Sequence, residues 1–114
     1  MKINGIMIDP ADHVVTLSSA VKAGDAVSYL KGGKVCSQTA AEEIPQYHKM
    51  AVTFIEKGQK VMKYGAWIGE ATKEIAAGSW VHTHNLQSAG MIQKKADEAK
   101  AVHTEHMETK KEGL

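Results

Sequence analysis

Ile55-Glu56-Lys57-Gly58-Gln59-Lys60-Val61 reads IEKGQKV. It sets an aliphatic residue, two others, a glycine, two others and a valine in one short run. The same spacing recurs in VKAGDAV (Val21 to Val27) and IAAGSWV (Ile75 to Val81). Glycine reaches positive φ without steric penalty, so each copy reads as a tight turn between short strands. The segments are too short and too glycine-interrupted for helices. The copies are unevenly spaced, which excludes a solenoid of fixed period. They read as one structural device used three times within one β-unit.

Outward from these turns lie HVVTL (13–17), AVSYL (26–30), KMAVTFI (49–55), KVMKYG (60–65), WIGEAT (67–72) and SWVHTH (79–84). Their β-branched and aromatic residues favour strands. Gly32-Gly33 predicts a hairpin between SYLK and KVCSQT. EEIPQYH (42–48) reads as a proline-containing connector. Short strands with glycine turns predict a compact, bent, mainly β unit. From Ser88 to about Lys111 the composition shifts to Ala, Lys, Glu and Gln, which predicts helix. Ile92, Ala96, Ala99, His103 and Met107 give it a weak apolar stripe. The expected organisation is a β domain over 1–87 and a largely solvated helical extension over 88–114.

A chain of 114 residues suits one domain. Aromatics make up only 5%, so Val, Ile, Ala and Met must fill its core. Basic and acidic residues number 14 and 13, for a net charge of +1. That balance lacks the clustered positive charge of a nucleic-acid footprint or a polybasic membrane contact. No apolar run approaches the roughly 20 residues of a membrane span. MKINGIMIDP lacks the apolar core of a signal peptide. A single cysteine, Cys36, excludes an internal disulfide framework and reads as a small apolar filler. The expected location is the cytoplasm.

In a strand, positions i and i+2 share a face. On that reading His82 and His84 point the same way, with Trp80 beside them. Two imidazoles on one face can hold a metal ion or grip a carboxylate. The plain alternative is two surface histidines at a strand end. His48-Lys49 and Lys63-Tyr64 place cations where an anionic substrate would be met; solvated lysines are the bland alternative. Asp9, Asp12 and His13 sit in DPAD turn chemistry. His103 and His106 have no evident acidic or cysteine partner and read as solvated. No phosphate-binding glycine loop or nucleophile elbow is present.

HKMAVTFIEKGQKVMKYGAWIGEATKEIAAGSWVHTHN (48–85) resembles the SAF-type domain of altronate and galactarate dehydratases. It is equally similar to the small subunit of sulfolactate sulfo-lyase. The shared series is His-Lys, a Gly turn, Lys-Tyr-Gly, Ile-Gly, an Ile-x-x-Gly turn and Val-His-x-His-Asn. The resemblance covers about residues 6–86. It departs where Asp9 stands for the family's His, His13 for its Asn, Tyr47 for its Gly, and Ser79 for a frequent acidic residue.

The resemblance implies a β-clip fold, working with a large catalytic subunit. It implies elimination of water from C2–C3 of a sugar acid, or of sulfite from sulfolactate. It also implies a divalent metal such as iron. By position, it casts His48, His82 and His84 as catalytic, with His82 and His84 as metal ligands. Lys49, Lys63 and Asn85 become substrate contacts. A homo-oligomer is compatible with it. Two other readings stand beside the lyase subunit. One is a lone SAF-like module that binds a carbohydrate acid without turnover. The other is an assembly element.

Overall fold

All three glycine turns form in the computed structural model, which describes residues 2–94, 96 and 97, and a fourth accompanies them. The fourth is Ile44-Pro45-Gln46-Tyr47-His48-Lys49-Met50, the segment expected to be a connector. In each copy the second residue's carbonyl accepts from the fifth residue's amide. The pairs are Lys22 and Asp25 at 3.0 Å, Pro45 and His48 at 3.2 Å, Glu56 and Gln59 at 3.0 Å, Ala76 and Ser79 at 3.1 Å. The fourth residue has positive φ: 92° at Gly24, 70° at Tyr47, 85° at Gly58 and 92° at Gly78. Positive φ at that point is the type II signature and normally takes glycine. Tyr47 in place of glycine is what conceals the fourth copy in the sequence.

The first residues of the four turns pair in two antiparallel bridges, Val21 with Ile44 and Ile55 with Ile75. Their seventh residues, Val27, Met50, Val61 and Val81, are fully buried. The chain is therefore built twice from turn, hairpin and turn. The hydrogen bonds match across the halves. Gly24 donates to Ala40 O and Gly58 to Ala71 O, each at 2.8 Å. Tyr47 donates to Leu17 O at 2.8 Å and Gly78 to Ala51 O at 2.7 Å.

The strands are β1 (Gly5–Ile6), β2 (Val14–Leu17), β3 (Ala26–Lys31), β4 (Lys34–Thr39), β5 (Lys49–Ala51), β6 (Lys60–Lys63), β7 (Ala66–Ala71), β8 (Trp80–Val81) and β9 (Leu86–Ser88). The central sheet runs β1-β2-β5-β8, all antiparallel. The first half's hairpin is β3-β4, turning at Gly32-Gly33 as expected. The second is β6-β7, extended by β9. It turns at Tyr64-Gly65, both at positive φ, the two-residue type I′ geometry.

Strand alternation explains where the core sits. Val15, Leu17 and Met50 face one apolar cluster with Val21, Val27, Tyr29, Ala40 and Ile44. Val14 and Ala51 face the other, with Ile55, Val61, Ala71, Ile75 and Val81. Val14 pairs with Ala51 and Val15 with Met50, so the register sends successive residues of β2 and β5 into opposite half-cores. The middle strands β2 and β5 thus send side chains into a half-core on each face of the central sheet.

The mainly β reading stands, with corrections at the ends of elements. KMAVTFI leaves the strand after Ala51, and SWVHTH leaves it after Val81. β1 and β9 carry too little alternation to be seen in the sequence. Helix begins at residue 89, with Ser88 Oγ accepting from Met91 N at 3.1 Å as an N-cap. Most of the expected helical extension, with His103 and His106, lies outside the described residues. No helix among the described residues is long and apolar enough to cross a membrane.

Candidate functional site

The fourth residue of each turn sets the direction in which the chain leaves it, and two turns deliver the site. After Tyr47 the chain presents His48 and Lys49; after Gly78 it presents Trp80, Val81 and His82. β5 and β8 pair side by side, with Met50 opposite Trp80 and Lys49 opposite Val81. That register brings His48 against Trp80 and His82.

His82 and His84 do not share a strand face. The strand ends at Val81, and residues 82–85 form a turn. Asn85 causes it. Its Oδ1 accepts from His82 N at 2.9 Å, and its Nδ2 donates to Trp80 O at 2.8 Å. A side-chain amide that satisfies local backbone groups competes with strand pairing, and here it wins. Asn85 is buried and its amide is committed to the backbone, so it shapes the loop.

Trp80 is the hub of the resulting cluster. The His82 ring stacks on it, with centroids 5.4 Å apart and planes 12° apart. The His84 ring lies 5.3 Å away, tilted by 56°. His48 meets the indole edge-on at 5.5 Å and 63°, and Trp80 Nε1 donates to His48 Nδ1 at 3.1 Å. His48 and His82 are 4.8 Å apart. The sequence placed Trp80 beside the histidines but assigned it no role. Its indole N–H, an obligate donor among three imidazoles, was the available signal.

Lys49 is half-buried. Burial first, then the charge of Lys63, pushes its ammonium below the usual lysine range, with Tyr64 acting the other way. Lys63 reaches over the Tyr64 ring, its Nζ 4.6 Å from the centroid. Among the described residues no carboxylate is one of the groups that act on Lys49. Burial is also the largest influence on His82, followed by His48, Lys49 and His84; together they hold its imidazole below the usual histidine range. Beside Lys49 and His82 opens a cleft of about 610 Å³, also lined by Thr72, Thr83, Leu86, Gln87, Ser88 and Met91. The start of the helical extension thus borders the cleft through Met91, which the sequence did not foretell.

Asp9, Asp12 and His13 serve the frame. Asp12 Oδ2 accepts from Tyr64 N and Oδ1 from Gly65 N, each at 2.8 Å, which clamps the turn that carries Lys63. His13 Nδ1 accepts from Met62 N at 3.0 Å, beside the bulge at Val61/Met62. A tightly held transition-metal ion such as zinc or iron takes three or four converging donors from the protein. Among the described residues no three His, Cys, Asp or Glu side chains converge in that way. His82 and His84 alone do not complete a ligand set, so this chain's described residues do not fit a resident metal by themselves.

Several known proteins are similar to this chain. Altronate dehydratase of Escherichia coli (strain K12) is 38% identical over 85 residues, which cover 73% of this chain and 16% of that protein. The chain thus corresponds to a small part of the dehydratase. (2R)-sulfolactate sulfo-lyase subunit alpha of Chromohalobacter salexigens is 28% identical over 91 residues, covering 77% of this chain and 97% of that subunit. The same subunit of Paracoccus pantotrophus is 38% identical over 50 residues, covering 44% of this chain and 75% of its own length. The family model described as the altronate/galactarate dehydratase SAF domain matches residues 3–89. That match takes in both half-cores, the four turns and the histidine cluster, and the chain belongs to the altronate/galactarate dehydratase SAF-domain family.

Proposed function

We propose that this chain is the small subunit of a lyase, sharing its active site with a larger catalytic subunit. The substrate is a small hydroxy acid of the altronate, galactarate or sulfolactate kind. The carrying observation is Lys49 and His82 together on the wall of an open cleft, with the charge of Lys63 near enough to act on Lys49. Two neighbouring cations repel each other, and both are half-buried. A substrate carboxylate placed between them relieves both penalties. The cleft volume suits a ligand of that size.

Elimination next to a carboxylate needs a base for the α-proton and assistance to the leaving group. In our reading Lys49 and Lys63 hold the carboxylate. His82, whose surroundings disfavour its protonated form, accepts the α-proton at a ring nitrogen. Assistance to the leaving hydroxyl or sulfite falls to the larger subunit. A divalent metal, which polarises such groups when bound, would find most of its ligands there too. Near full-length similarity to a sulfo-lyase subunit, set against a small fraction of a dehydratase, supports a separate small subunit.

The test is a tagged pull-down of the chain from its source cells. The complex is assayed for metal, for 2-keto acids from a panel of sugar acids, and for sulfite from sulfolactate. We expect a larger partner with turnover, and loss of turnover in His82→Ala with circular dichroism unchanged. Full activity in His82→Ala would remove His82 from the chemistry. A lone chain that binds a sugar acid without turnover would favour the binding-module reading.

A further inference from the structure

An indole N–H has a proton to give and no lone pair to accept with. Trp80 Nε1 sits 3.1 Å from His48 Nδ1, and the two rings meet edge-on at 63°. That nitrogen of His48 must therefore present its lone pair, and in the neutral ring the proton resides on Nε2. The backbone of Trp80 is held on both sides. Its backbone N donates to Glu42 Oε2 at 3.1 Å, and its carbonyl accepts from Asn85 Nδ2 at 2.8 Å. The His82 ring lies flat on its face.

We propose that Trp80 is a positioning residue that locks His48 in the Nε2–H tautomer, making His48 a neutral hydrogen-bond donor to an anionic substrate oxygen. The donor is Nε2–H; no bond to hydrogen is broken and no proton changes owner. His48 is thereby excluded as the proton-accepting base, since Nε2 is already protonated and Nδ1 is engaged. It is excluded as a metal ligand for the same reason, because ligation needs a free imidazole lone pair. A fixed, prealigned donor is the kind of group that stabilises charge developing on a carboxylate oxygen during α-proton removal. The tautomer lock stands apart from the lyase reading; only the source of the oxygen rests on that reading.

The experiment is nitrogen-detected NMR on the uniformly ¹⁵N-labelled full chain at alkaline pH, where the imidazoles are neutral. Long-range proton–nitrogen correlation should show His48 with a protonated Nε2 and a bare Nδ1. A through-hydrogen-bond coupling should join Trp80 Nε1 to His48 Nδ1. Trp80→Phe keeps a ring for His82 to stack on; in it the coupling should vanish and His48 should relax to a mixture of tautomers. A protonated Nδ1 on His48 in the parent chain overturns the proposal, as does a Trp80→Phe chain whose His48 tautomer is unchanged. If Trp80→Phe does not fold, the parent spectrum still decides. Turnover by the complex is scored separately. A locked tautomer without any lyase activity would sink the lyase reading alone, and lyase activity with Nδ1 protonated would sink the lock alone.

Discussion

Asp12 carries more of this molecule than its place in a DPAD turn suggests. Asp9 Oδ1 accepts from Ala11 N at 2.8 Å, the local turn chemistry that the sequence implied. Asp12 does something non-local, accepting from Tyr64 and Gly65 across a gap in sequence of some fifty residues. Burial raises its pKa, but the amides of Gly65, Tyr64, Asp9 and Ile8 more than offset that and hold it below the usual carboxylate value. A carboxylate with a depressed folded pKa contributes stability that is present above the unfolded value, near 3.9. That contribution is lost as the pH falls through the folded pKa. Asp12→Asn presents an N–H₂ to a backbone donor and should cost about 1–3 kcal/mol at neutral pH. Urea titrations across the acid range should show the difference from the parent shrinking as pH drops. A difference that is constant with pH would mean the carboxylate's charge is not what holds the Tyr64-Gly65 turn. Asp9 also lies against that turn. It packs so closely on Gly65 that a Cβ there would lie 2.8 Å from its Oδ2.

The repeated turn is the unit from which this fold is made, and three of its four copies are legible because glycine marks them. The fourth is hidden by Tyr47, whose ring is well exposed at a φ of 70°. A left-handed residue with a Cβ costs about 1–2 kcal/mol. Tyr47→Gly removes that strain but frees the unfolded chain, so the net gain should be at most about 1 kcal/mol, read as a rise in Tm. A fall in Tm would show that the Tyr47 ring makes contacts that outweigh its strain. The three glycines should differ among themselves. A Cβ on Gly24 or Gly58 meets nothing, so Ala there costs only the left-handed strain, about 1–2 kcal/mol. A Cβ on Gly78 would sit 2.3 Å from Thr39 O, so Gly78→Ala should cost distinctly more. Equal losses at Gly58 and Gly78 would contradict the close approach of Gly78 to the Thr39 backbone. The histidine loop escapes sequence reading for a related reason. WVHTH alternates like a strand, but Asn85 supplies local hydrogen bonds that no periodicity count registers.

Across the whole molecule the duplicated plan puts one half-core on each face of a shared sheet, and it puts the histidine cluster where the second turns of both halves meet. Residue types and order revealed the cluster's members; the pairing of β5 with β8 that unites them is a long-range contact, invisible to local pattern. The plan makes a quantitative demand on stability. Ile44 belongs to one half-core, and Ile55 and Ile75 to the other, where they bridge directly. Ile→Val at each site should cost about 0.5–1.5 kcal/mol. Ile44→Val and Ile75→Val share no half-core, so the double variant should equal the sum of the singles to within about 0.5 kcal/mol. Ile55→Val with Ile75→Val should depart from additivity, because the two changes open one space. Unfolding should remain a single transition in every variant, since β2 and β5 contribute side chains to both half-cores. A double-mutant cycle by urea denaturation reads both quantities. Strong coupling between Ile44 and Ile75 would mean that the central sheet transmits packing from one face to the other and the two half-cores behave as one.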